Sequence, residues 1–303
     1  MSINVTIKNG KLIKKPLELQ DLTLGKYACG SLDEYGRNTG EIKDGDIVIY
    51  DPKAIGRGIT VRAWSANVTE EIWLMANNLA TGRDMELFYE VIKNVMHVWK
   101  AKSFEQEDAV YSEADIDRLC SEQRRFALKY MAGLDRMTQN SKSDYVTIYC
   151  AMLPIDVDVR LLQKFGMEED EEGLKKYLHE LQSKDVYYAV PYIYRCKQKE
   201  NAFFGNFTVT SETDTIFPRV AKTPFGFRNP ATGKNLECDF FTVSLFSLKQ
   251  DRAVGRMSFE DFVRLAGIED CQPFDKTHVI LKGLSEEKMA ELANSEHKDP
   301  LAD

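Results

Sequence analysis

The chain has 303 residues, a formal net charge of -8, 43% hydrophobic and 29% charged residues. That composition fills a globular core, and 9 Pro with 18 Gly excludes a linker-rich or disordered chain. The acidic balance repels phosphates, so neither nucleic acid nor an anionic membrane is an expected partner, and no run approaches the about 18 apolar residues of a membrane span.

In chain order, the first 68 residues read as β-rich. The N-terminus lacks a charged stretch followed by an apolar one, so no signal peptide and a cytoplasmic location are expected. Ile3, Val5 and Ile7 alternate as in a strand, and Asn9-Gly10 predicts a hairpin turn after it. Gly30, Gly36, Gly40 and Gly45 mark a turn-rich stretch. Residues 46–50 predict a buried strand, broken by Asp51-Pro52, and 58–64 predict another.

In that second strand, alternation puts Ile59, Val61 and Ala63 on one face and Thr60, Arg62 and Trp64 on the other. Arg57 stands between Gly56 and Gly58, where the backbone can approach a ligand closely. An arginine grips anions and a tryptophan stacks on planar or cationic groups. Arg57, Arg62 and Trp64 are therefore the expected ligand- or partner-binding residues.

A helical middle segment follows. Thr69 as N-cap, with Glu70 and Glu71 in the first turn, predicts a helix ending near Leu79. Thr81 and Asp84 form a capping-box pair for a second helix, whose apolar stripe is Met85, Phe88, Ile92, Val95, Met96 and Trp99. Ser112 and Asp115 repeat the signal for a third helix, with a stripe from Ile116 to Met137. The polar stretch 138–143 is the expected connector between a region 1–140 and a region 141–303.

Beyond it, 145–152, 186–196, 203–210, 239–248 and 277–281 predict strands, with 197–200 as a charged hairpin connection. Helices are predicted over 159–165, 168–183, from Ser258 to Gly267, and from Ser285, followed by a polar tail. Helices and strands interleave without steady βαβ alternation. The expected fold class is α+β, with mixed or antiparallel sheets around the helical middle segment.

Chemistry-bearing motifs are few. The phosphate-loop, dinucleotide-binding, zinc-protease and nucleophile-elbow signatures are all missing. The six cysteines form no Cys-x-x-Cys pair and read as small buried hydrophobes in a reducing compartment, and no two of the four histidines have metal-ligand spacing. Asp156-Val-Asp158 is the most enzyme-like pattern. Paired carboxylates suit magnesium or manganese, although Asp158 also fits as N-cap of the helix that follows. Tyr187, Tyr188, Tyr192 and Tyr194 suit a half-exposed sheet face.

The expected function is therefore non-enzymatic: a binding or regulatory protein that engages another protein, with a basic partner matching the acidic charge and no cofactor. The alternative is a metal-dependent transferase or hydrolase acting on a nucleotide-linked substrate through Asp156 and Asp158.

Two resemblances accompany this reading. Gly45-Asp-Ile-Val-Ile-Tyr-Asp-Pro-Lys53, followed by Gly56-Arg57-Gly58-Ile59, resembles a strand–turn–strand element of forkhead-associated phosphopeptide-binding domains, without the Ser and His that carry their phosphate contact. Over its full length the chain resembles a bacterial family of uncharacterised proteins, a domain-of-unknown-function group common in Gram-positive species. The resemblance rests on overall size, the Tyr50-Asp-Pro to Gly56-Arg57-Gly58-Ile59 segment, and the helix start at Asp84 with Phe88-Tyr89 running to Trp99. It implies a cytoplasmic bacterial protein and supplies no site residues.

Overall fold

Burial with a period of two builds the first sheet. In β1 (Ser2–Lys8) Ile3, Val5 and Ile7 point inward, and in β5 (Glu71–Asn77) Ile72, Leu74 and Ala76 do the same. The two strands pair antiparallel, from Ser2↔Asn77 to Lys8↔Glu71. The computed structural model describes residues 2–134, 143–197 and 202–301. Its contacts divide the chain into two units, Met1–Lys184 and Asp185–Asp303. Met137, the expected boundary near residue 140 with its connector up to residue 142, residues 198–200 of the expected hairpin connection and the end of the tail lie outside the described residues.

Among the described residues of the first unit, seven strands form one sheet in the order β2-β3-β4-β5-β1-β6-β7. The other five are β2 (Ala28–Gly30), β3 (Gly45–Tyr50), β4 (Ile59–Trp64), β6 (Phe104–Gln106) and β7 (Ala109–Tyr111), and neighbours pair antiparallel. After the short α1 (Leu19–Thr23), α2 (Gly82–Trp99) buries Met85, Phe88, Ile92, Val95, Met96 and Trp99 in one core with Ile7, Ile49, Val61 and Leu74. Then come α3 (Ile116–Ala132), the hairpin β8 (Tyr145–Tyr149) and β9 (Pro154–Asp158), α4 (Val159–Met167) and α5 (Glu171–Gln182).

Three expectations fail here for local reasons. Residues 71–77 are a strand, not a helix. Ile72, Leu74 and Ala76 alternate, and β1 and β4 flank the segment on both sides, which outweighs the capping signal at Thr69. Asn9-Gly10 makes no hairpin. Asn9 N donates to Glu70 O and Gly10 N to Trp99 O, and a Cβ on Gly10 would lie 2.6 Å from the Lys100 carbonyl oxygen. Alternation in β4 breaks at a bulge. Val61 pairs with Ile47 and Trp64 with Gly45, so Arg62 and Ala63 both face Asp46. Ala63 takes a left-handed φ of 50°, its N–H donates to Asp46 Oδ1 at 2.9 Å, and Trp64 turns into the core.

In the second unit, described residues form two four-stranded sheets. One runs β11 (Tyr192–Arg195), β12 (Phe203–Thr210), β14 (Phe240–Ser247), β15 (Arg252–Ser258), with β12 and β14 parallel. The other runs β10 (Tyr187–Tyr188), β13 (Thr215–Pro218), β17 (His278–Leu281), β16 (Gln272–Pro273), with β10 and β13 parallel. Ser258 and Ser285 cap α6 (Phe259–Leu265) and α7 (Glu286–Asn294) as their sequence spacing predicts. Phe207, Phe217, Phe259 and Phe262 fill the core between these elements. The fold is α+β with antiparallel and mixed sheets. No described helix is long and apolar enough to cross a membrane.

Candidate functional site

The Thr81–Asp84 capping box does two jobs. Asp84 N donates to Thr81 Oγ1 at 3.1 Å, and Asp84 Oδ2 accepts from Thr81 N and Thr81 Oγ1, each at 2.8 Å. The same carboxylate accepts from Arg57 N at 3.0 Å and Gly58 N at 2.9 Å. The start of α2 therefore pins the Gly56-Arg57-Gly58 turn. Asp84 is only 2% exposed. Burial pushes its carboxyl above the ordinary value, and the donors from Thr81, Gly58 and Arg57 pull against that. Glycine is required at residue 58: its φ is +69°, and a Cβ there would lie 2.6 Å from the Ile49 carbonyl oxygen.

The turn holds Arg57 half-buried. Its Nε donates to the Tyr149 carbonyl oxygen at 3.2 Å, and Nη1 and Nη2 have no partner among the described residues. Burial draws the guanidinium below its ordinary pKa, opposed by Cys150, Asp84 and Tyr130. An arginine stays charged under such a shift. Burial also pushes the Cys150 thiol up to about 12, so it is no thiolate nucleophile at neutral pH.

Beside Arg57 opens a cleft of about 330 Å³, whose described lining is Ser2, Arg57, Asn77, Asn78, Leu79 and Tyr130. Asn78 is 6% exposed, and its side-chain Nδ2 is shielded from solvent with no hydrogen-bond partner. The cleft thus combines one cation with neutral polar side chains, and no carboxylate belongs to its described lining. The chemistry of that lining is suited to an anion, through charge and hydrogen bonds.

The three residues expected to act together do not meet. Trp64 is 6% exposed and belongs to the core. Arg62 lies on the surface and pairs with Asp46 at 3.3 Å. Arg57 alone stands at a cleft. Asp156 lies within β9, and its Oδ1 accepts from Thr147 Oγ1 at 2.5 Å. Asp158 caps α4 by accepting from Arg160 N at 2.8 Å. Among the described residues, no group of three or more His, Cys, Asp or Glu could hold a metal ion.

Sequence reasoning missed Asn78, because one asparagine after a strand carries no motif. It also missed a cluster in the second unit. Asp275 Oδ1 faces His278 Nδ1 at 2.9 Å, and His278 Nε2 faces Tyr188 OH at 3.2 Å. The Asp275–His278 spacing was readable as a turn, but Tyr188 comes from β10, across β13.

A family model described as a domain of unknown function (DUF4299) matches residues 2–292. No curated protein and no solved structure matches the chain.

Proposed function

The chain belongs to the DUF4299 family, and on that footing we propose that it is a non-enzymatic binding protein of the bacterial cytoplasm that engages another protein through Arg57. One observation carries the reading: the Arg57 guanidinium is fixed in place, yet its two terminal nitrogens have no partner among the described residues. Asp84 holds the backbone of the turn and Tyr149 holds Nε. Much of the ordering entropy that a long side chain loses on binding is therefore already spent on folding.

The sign of the contact is opposite to that suggested by net charge. A chain at -8 attracts basic partners as a whole, whereas Arg57 accepts one acidic group. Recognition of a single group by one cation, in a cleft whose described lining carries no carboxylate, is compatible with an acidic surface elsewhere, because screening confines surface fields to about 8 Å at physiological salt.

The test is capture from a bacterial lysate with the native chain and with Arg57→Glu as bait. The reading expects one stoichiometric protein retained by the native chain and lost by the variant. A partner retained equally by both, or none at all, contradicts it.

A further inference from the structure

We infer that the cleft beside Arg57 is a receptor for a single carboxylate, gripped by the terminal nitrogens of Arg57 and the amide of Asn78. The inference rests on the Arg57 reading above and names what the partner presents.

Three features favour this ligand class. The first is the free edge of Arg57. With Nε–H spent on the Tyr149 carbonyl, Nη1 and Nη2 remain as a pair of donors. A planar two-donor edge matches the two oxygens of a carboxylate. The second is Asn78. Its Nδ2 is shielded from solvent without a partner, and the residue lines the cleft. Buried donors are paired in nearly all folded proteins, and a rotation of the Asn78 side chain toward the cleft would give this one an acceptor seated there.

The third is charge and size. Arg57 is the single charged residue of the described lining. One cation balances a monoanion. A phosphate dianion would bring a second charge into a chain already at -8. A cleft of about 330 Å³ lies at the small end of ligand pockets. It has room for one acidic side chain or one chain terminus, and both sources present the same carboxylate.

The experiment follows the Arg57 Nε–Hε resonance of the full-length ¹⁵N-labelled chain, assigned by its loss in Arg57→Lys. The probes are N-acetylglutamate N-methylamide, which mimics an acidic side chain, and N-acetylglycine, which mimics a chain terminus. Each is paired with its neutral amide, and inorganic phosphate is the third arm. The inference expects a saturable shift with at least one carboxylate and none with its amide. Whichever probe binds tighter identifies the source. Asn78→Ala, followed at Arg57 Nε–Hε, and Arg57→Lys, followed at the backbone amide of Asn78, each checked by an otherwise conserved spectrum, should weaken binding by about tenfold, roughly the value of one charge-assisted hydrogen bond.

No shift with either carboxylate, an equal response to the neutral amides, or unweakened binding in both variants overturns the inference. A response to phosphate alone overturns the carboxylate class, yet leaves Arg57-dependent partner capture standing. Carboxylate binding without Arg57-dependent capture overturns the partner reading instead.

Discussion

At the scale of single residues, Asp84 is the group on which the site depends. It accepts from three backbone N–H groups and one hydroxyl. Truncating it leaves the Arg57, Gly58 and Thr81 amides without their acceptor and removes the reciprocal half of the α2 capping box, while Thr81 Oγ1 still accepts from the N–H of residue 84. Asp84→Ala should cost about 3 kcal/mol or more, because several buried donors lose their acceptor at once. Chemical denaturation measures this, and a cost below about 1 kcal/mol would show that the turn is held by something else. Arg57 was legible in the sequence because two glycines flank it. Asn78 was not, since its distinction is a missing partner and partners are a property of the fold. Trp64 was misplaced because alternation assumes an unbroken strand, and the bulge at Arg62 and Ala63 shifts the phase by one residue.

Elements follow the same logic. The caps at Thr81, Ser258 and Ser285 lie where sequence spacing predicts them, because a cap is a local bond between a side chain and an N–H two or three residues on. Thr69 carried the same signal and failed. Residues 71–77 also alternate, and pairing with β1 and β4 decides between the two periods. Pairing between distant segments has no local signature, which is why the parallel contact of β12 with β14 was not legible either. The bulge in β4 makes a test at this scale. Ala63 holds φ at 50°, a conformation unfavourable for β-branched side chains. Ala63→Val should lower stability by about 1–2 kcal/mol while Ala63→Gly is neutral or stabilising. Valine tolerated as well as glycine in thermal unfolding would argue against the bulge.

For the whole molecule, interleaved helices and strands without βαβ alternation made the α+β class legible, and the sheets confirm it. Stability against acid also belongs to this scale. Asp261 is held at about 2, chiefly by the Arg264 guanidinium and then by Lys298 N and Ser258 Oγ. Unfolded, it titrates at the ordinary 3.8. Its contribution is thus present above about pH 4 and lost as the pH falls from there toward 2. Urea midpoints recorded from pH 5 to pH 2 should fall more steeply for the native chain than for Asp261→Asn, and parallel curves would remove Asp261 from the account.

Arg57, fixed by Asp84 and Tyr149, is the proposed contact with another protein. The most direct measurement is the dissociation constant of the captured protein for the native chain and for Arg57→Ala, at equal folded fraction. Loss of the Nε bond should cost folding only about 1 kcal/mol. The account predicts binding at least about tenfold weaker in the variant, the worth of one charged hydrogen bond. Equal dissociation constants for the two chains would contradict it.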